Sequence, residues 1–263
     1  MTSLRAGIAG IGFWANGLPS WNDAVAFAQH GTLPENPPAR PSPQLLAPNE
    51  RRRAPESVAV ALEAALAACT ASCRDPATLP SVFASTHGDL AITDYVAATL
   101  ASEPRALSPT KFHNSVHNAA AGYWTIGTGC TAPTTAVTAY DASFAQGLLE
   151  ALSLLAAGHE AVLFAACDAT ATGPLAAISR SEGLLGAALL LVADGEPAAT
   201  RLRITPVPVS VPVPAPDGAL ARRYLGNAMQ PMLALFDALA SGGDFALLHA
   251  GPGRGLRVEC AHG

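Results

Sequence analysis

The stretch from Thr134 to Val192 constrains the fold more than any other part of the chain. Thr134–Tyr140 is rich in β-branched residues and reads as a strand. Asp141 or a close neighbour then starts a helix, in which Phe144, Leu148, Leu152 and Leu155 recur at helical spacing as one apolar stripe. Gly158 ends that helix. Two continuous apolar runs follow, Ala161–Cys167 (AVLFAAC) and Leu184–Val192. A strand apolar at every position has no face to give to water, so it belongs inside a sheet covered on both sides. Strands alternating with helices specify an α/β layered domain.

The flanks fit the same architecture. Ser3–Ala15 reads as a buried strand entering a loop, and Pro34–Pro48 as a proline-dense surface loop. A helix is expected from Asn49 through about Cys73, with Val58, Leu62, Leu66, Cys69 and Cys73 on one face. Ser81–Thr86 reads as a short strand and Asp89–Ser102 as a helix with Ile92, Val96 and Leu100 on one side. Beyond residue 195, Arg201–Thr205 reads as a strand. Pro206, Pro208, Pro212, Pro214 and Pro216 form a linker or edge segment. A helix over Leu220–Ala240 is kinked or started by Pro231, and two last strands, Phe245–His249 and Leu256–Cys260, join through Gly251-Pro252-Gly253. The 263 residues fit one large domain, 1–263, in which the packing of 196–263 stays open.

Composition removes several function classes. Half the residues are hydrophobic, 13% are charged and the net charge is −5, which excludes a disordered chain and gives no basis for nucleic-acid binding. The longest apolar run, Glu182 to Asp194, is too short to insert across a membrane. The N-terminus lacks the charged-then-apolar order of a signal peptide, and five scattered cysteines suggest a reducing compartment, so the expected location is cytoplasmic.

Candidate chemistry is sparse. Gly7, Gly10, Gly12 and Gly17 miss the GxGxxG spacing, because Ala15 stands where the third glycine is needed; structural glycines in a tight strand-to-loop turn are expected instead. His113 and His117 would share a face if HNSVH were helical, but they lack a third ligand, so no metal and no cofactor is expected. Cys130, in TGTGCTAP, could pair with His113 or His117 in an independent acyltransferase or thioesterase, although no convincing helix start lies there to lower its pKa. Arg51, Arg52 and Arg53, read near a helix N-terminus, oppose its dipole; they are either a solvated run or a contact for an acidic partner.

The segment SPTKFHNSVHNAAAGYWTIGTG, followed by AVTAYDASFAQGLLEALSLLAAGHEAVLFAACDA, resembles the N-terminal half of β-ketoacyl synthases of the thiolase fold. It is more closely similar to the chain-length-factor-like subunits of aryl polyene biosynthesis. GIGFWANGLPSW and LAPNERRRAPESV fit the same family, and the resemblance is strongest over 1–195. It implies a truncated thiolase-like fold, the N-terminal ketosynthase half, with a layered mixed sheet and helices. It also implies a nucleophilic cysteine where the strand meets the helix, but that position falls on Tyr140 when Thr138-Ala139 is matched to the family's Thr-Ala-Cys. It falls on Asp141 when residues are counted back from Gly158. Neither is cysteine, and no HGTGT-like histidine motif occurs in the chain. The resemblance therefore implies a non-catalytic subunit pairing as a heterodimer with a full-length, cysteine-bearing ketosynthase in aryl polyene, polyketide or fatty-acid-like chain elongation. Phe112, His113, Val116, His117, Asn118, Ala120, Tyr123 and Trp124 would lie at the partner interface or the acyl tunnel. Arg51–Arg53 would touch an acyl carrier protein, which the chain meets indirectly. A stand-alone carrier-protein adaptor is the other reading of that arginine run.

Overall fold

The computed structural model describes residues 3–263, so Met1 and Thr2 of the N-terminal stretch read above lie outside it. Eight strands build one mixed sheet: β1 (Leu4–Ala15), β2 (Ser81–Ala84), β3 (Thr134–Val137), β4 (Ala161–Asp168), β5 (Leu185–Val192), β6 (Thr200–Pro208), β7 (Phe245–His249) and β8 (Arg254–His262). Their order is β3-β2-β4-β5-β1-β6-β8-β7. The strands β3, β2 and β4 are parallel, and every pairing from β4 to β7 is antiparallel. The helices are α1 (Trp21–His30), α2 (Pro48–Arg53), α3 (Glu56–Ser72), α4 (Leu90–Ser102), α5 (Pro109–His113), α6 (Ala119–Thr128), α7 (Ser143–Ala156), α8 (Ala219–Arg223) and α9 (Leu233–Ser241).

The two continuous apolar runs are the central strands β4 and β5, each buried at all eight positions. Their side chains alternate between two cores. Phe164 and Leu189 face Phe144, Leu148 and Leu152 of α7, with α1, α8 and α9 completing that layer. Leu163 and Leu190 face Val60, Ala64 and Ala68 of α3, with α6 alongside. Each such leucine or phenylalanine contributes about 1.5–3 kcal/mol by leaving water. Gly10 and Gly12 lie inside β1 rather than in a turn. A Cβ at either would strike the carbonyls of Ala68 and Ala64, so these glycines let α3 lie directly on the sheet. Gly17, with φ +83°, is the one of the four that serves a turn.

Several expectations change at prolines. The single helix expected over 49–73 is two helices, because Pro55 cannot continue α2 and drives Ala54 to extended geometry (ψ 134°). Arg51–Arg53 therefore fill the last turn of α2, where cations complement the dipole rather than oppose it. Cys73 leaves the α3 stripe as an exposed left-handed cap (φ 55°). Pro231 begins the α9 region within a 3-10 turn at Gln230–Met232, so 220–240 is not one helix. Pro206 and Pro208 belong to β6, in the part that runs past the end of its ladder with β1 at Ile204. The 196–263 segment thus extends the sheet beyond β1. The sheet curves around α7, so its far end returns to the start of that helix: Gln146 Nε2 donates to the Ala250 carbonyl at 2.8 Å.

Candidate functional site

In α/β sheets ligand chemistry gathers beyond the carboxyl ends of parallel strands. Here β2, β3 and β4 deliver Ser85, Thr86 and His87, then Thr138–Asp141, then Asp168, to one place. Asp168 is 1% exposed. Its carboxylate accepts from the Ser85 hydroxyl at 2.7 Å and from the Thr86 N–H at 3.1 Å. Burial pushes its pKa up to about 6, against the lowering effect of the hydrogen bonds from Thr86 and Ser85. The Thr138 hydroxyl donates to the Thr86 carbonyl at 2.9 Å, tying β3 to β2, and His117 Nε2 lies 3.1 Å from the Ser85 carbonyl. The side-chain amide of Asn227 donates to the Glu182 carbonyl at 3.1 Å and anchors the loop before α9 to the same region. Burial, with a smaller effect of His117, holds the His87 pKa below its ordinary value. Its Nε2 is buried without a hydrogen-bond partner, and its ring stands 6.1 Å from that of Tyr140.

Between β3 and α7 the chain turns at Tyr140, whose φ of +54° is left-handed, a conformation a non-glycine residue adopts only when its surroundings impose it. Ser143 closes the turn: its hydroxyl accepts from the Ala139 N–H at 2.9 Å and donates to the Tyr140 carbonyl at 2.6 Å. The Tyr140 side chain is half exposed, and its hydroxyl reaches the Ile178 carbonyl at 3.4 Å. Asp141, next along, points to His249 Nε2 at 3.4 Å. The strained position at the strand–helix junction is therefore Tyr140, and Asp141 sits one residue into the 3-10 turn that precedes α7.

The Cys130–histidine pair does not form. Cys130 is buried, with its thiol on the Leu79 carbonyl at 3.4 Å. His117 sits on the Ser85 carbonyl at the other end of β2, six extended residues and about 20 Å away. His113 precedes α6 and Cys130 follows it, so the length of that helix separates them. Of the other cysteines, burial pushes Cys69 up to about 12 and Cys260 up to about 11, and raises Cys167 as well. Among the described residues no group of three His, Cys, Asp or Glu side chains comes together as a metal site. None of their helices is long and apolar enough to cross a membrane.

The segment 112–124 divides. α5 ends at His113 and α6 starts at Ala119, so His113 and His117 do not share a helix face. Trp124 is 0% exposed and packs on Phe83, ring centres 6.1 Å apart; it belongs to this chain's own core and offers nothing to a partner. Ala120 and Tyr123 are half buried, while His113 and Asn118 are exposed. Phe112 and Val116 stand 59% and 51% exposed, joined by Ile126 at 77%. Asn114, buried, accepts from the Tyr123 hydroxyl at 3.1 Å and donates to the Arg53 carbonyl at 3.4 Å, fixing α2 to this segment. Arg51 donates to the Leu46 carbonyl at 2.8 Å, and Arg52 to Asn49. Arg52 and Arg53 line a cleft of about 680 Å³ together with Ser108, Thr110 and Lys111.

Sequence reasoning passed over His87, Asp168, Asn227 and Ile126. His87 carried a usable signal, a histidine directly after a strand in His87-Gly88-Asp89; so did Asp168, a carboxylate closing an otherwise apolar run. Ile126 and Asn227 carried none, because only the folded chain leaves one bare and surrounds the other.

Residues 24–217 match the model of the β-ketoacyl synthase N-terminal domain. No curated protein matches the chain. Among solved structures it is similar to a chain of the complex of a ketosynthase (ApeO) with its chain length factor (ApeC) from Xenorhabdus doucetiae. The identity there is 22% over 98% of this chain and 97% of that chain, with a TM-score of 0.71. It is similar at 13% identity, over 99% and 100% of the two chains and TM-score 0.73, to a chain of AntDE:AntF, a type II polyketide synthase acyl-carrier protein in complex with its ketosynthase bound to the hexaketide. It is similar at 17%, over 78% and 67% and TM-score 0.60, to the ishigamide ketosynthase/chain length factor. At these identities the likeness is one of fold, a thiolase-like half, whereas the domain match spans well over half of the chain. The chain belongs to the β-ketoacyl synthase N-terminal domain family.

Proposed function

We propose that the chain is a non-catalytic ketosynthase-like subunit, a chain length factor, that pairs with a full-length ketosynthase carrying the nucleophilic cysteine. The observation that carries this reading is Tyr140 at the left-handed turn between β3 and α7, the junction to which the family resemblance assigns the nucleophile. The Tyr140 hydroxyl meets the Ile178 carbonyl rather than a histidine nitrogen or a carboxylate, so its hydrogen-bond partner is not a base that could activate it for acyl transfer. The neighbouring surface supports the pairing. β3 is the outer strand of the sheet, and Ile126, Tyr140 and Ile178 stand exposed in the elements next to it. Apolar anchors around an open strand edge are what an interface core uses.

On this reading Phe112 and Val116 border the acyl tunnel and limit chain length, since each CH₂ that fits gains about 0.8 kcal/mol and one that does not is excluded by clash. Arg51–Arg53 and Lys111 lie on the side from which an acidic acyl carrier protein approaches the pair. The product class is an aryl polyene or related polyketide. The test is mass spectrometry of the chain and its partner ketosynthase after exposure to an acylated carrier protein. We expect an acyl adduct on the partner alone, and an assembled complex whose turnover is unchanged within about two-fold by Cys130→Ala. An acyl adduct on this chain, or loss of turnover in the Cys130→Ala complex, would make it an enzyme in its own right.

A further inference from the structure

A second cleft, of about 560 Å³, lies on the side of the molecule built by the C-terminal strands. Its origin is visible along β6. Alternate positions Leu202 and Ile204 face the α7 core and are buried. Pro206 and Pro208 continue the same row, and among the described residues both are exposed. The apolar layer between sheet and helix thus runs out into an open groove, with Leu149 of α7 as one wall and Leu256 of β8 behind. A cleft of this size, apolar with few polar groups, has the dimensions and lining of a small-molecule site.

The polar groups narrow the occupant. Val209 donates its N–H to Gly253 on the β8 side, so the alternate positions 206 and 208 direct their nitrogens to the open edge, where proline has no hydrogen to give. An added peptide strand would find no donors there. The side-chain amide of Gln146 is already engaged by Ala250. The charge in the lining is Arg254, exposed and without a carboxylate partner among the described residues. We propose that this groove binds a free long-chain aliphatic carboxylate, its chain along Pro206, Pro208 and Leu149 and its carboxylate at Arg254. The site is separate from the Tyr140 turn, and the proposal stands independently of pairing with a ketosynthase.

The test uses the full chain and cis-parinaric acid as a fluorescent probe, displaced by hexadecanoate or by hexadecanol. Saturable binding is expected. Pro208→Glu, a change at an exposed side chain, should weaken both competitors by at least about ten-fold, because it sets a carboxylate in the apolar groove directly across from Arg254 and so occupies the charge the ligand would use. Arg254→Glu should weaken hexadecanoate by about five-fold and leave hexadecanol unchanged, the size of a surface charge pair. Thermal melts of both variants should match that of the parent chain. Absence of saturable binding, or probe binding indifferent to Pro208→Glu, would overturn the proposal. So would a dimer in sedimentation that Pro208→Glu dissolves, which would assign the groove to a second copy.

Discussion

Asp168 is a carboxylate enclosed at the junction of three strand ends, and its environment has a thermodynamic consequence. Its pKa of about 6 in the folded chain lies above the ordinary 3.8. The folded state therefore holds the proton more tightly than the unfolded state. Its contribution to stability is fully present below about pH 3.8, declines as pH rises, and is lost above about pH 6. At neutral pH the buried charge then disfavours folding by up to about 3 kcal/mol. Asp168→Asn, which can still accept from the Thr86 N–H, is expected to be more stable than the parent chain at pH 8 and to flatten the stability profile between pH 4 and 6. Urea unfolding at a series of pH values measures both. A variant less stable at pH 8 with an unchanged slope would mean that the ionised carboxylate stabilises this junction. The sequence marked this residue only as a carboxylate closing an apolar run, because its environment depends on Ser85 and Thr86, more than eighty positions away. Residue order left Tyr140 level with Asp141, and the left-handed backbone angle belongs to Tyr140.

At the level of elements, legibility followed burial. β4 and β5 were readable to within a residue because burial on both faces writes an uninterrupted apolar run. The stripe of α7 was readable for the complementary reason, one covered face. The direction of β5 and the joining of β6, β8 and β7 to the free edge of β1 were not, since pairing partners leave no periodic signal. Where the chain was misread, Pro55 was carried through a single helix although it separates two, while the alternatives left open at Pro231 and at Pro206 and Pro208 resolve as a helix start and a strand end. The glycines of β1 were likewise assigned to a turn, whereas their role is contact with α3. That role predicts a specific sensitivity. Gly12→Ala drives a methyl group into the Ala64 backbone, which no rotamer change relieves, and is expected to lower stability by about 2–3 kcal/mol or more. Gly242→Ala is the control at another glycine: its Cβ meets open space, and the change is limited to the strain of its φ of +71°. Equal, small losses at both positions in chemical denaturation would show that β1 and α3 are not in contact as described.

For the whole molecule, the sheet has two unlike ends. One end, β7, comes back to the α7 turn through a half-buried His249 and an exposed Asp141, a pair that contributes no more than about 1 kcal/mol. The other end, β3, is left open beside Ile126, Tyr140 and Ile178. On the proposed reading, a chain that keeps these layers, carries Tyr140 at the strand–helix junction and presents that edge completes another protein rather than acting alone. Ile126 offers the cleanest probe because it is 77% exposed and a charge there leaves the core intact. The decisive experiment is size-exclusion chromatography with light scattering of the chain co-expressed with a cysteine-bearing ketosynthase as the proposed partner, alongside the Ile126→Glu variant. We expect a 1:1 complex that forms with the parent chain and is lost in Ile126→Glu, while the circular dichroism of the variant stays native; a parent chain that elutes apart from the ketosynthase, or a variant that pairs as well as the parent, would refute pairing through the β3 edge.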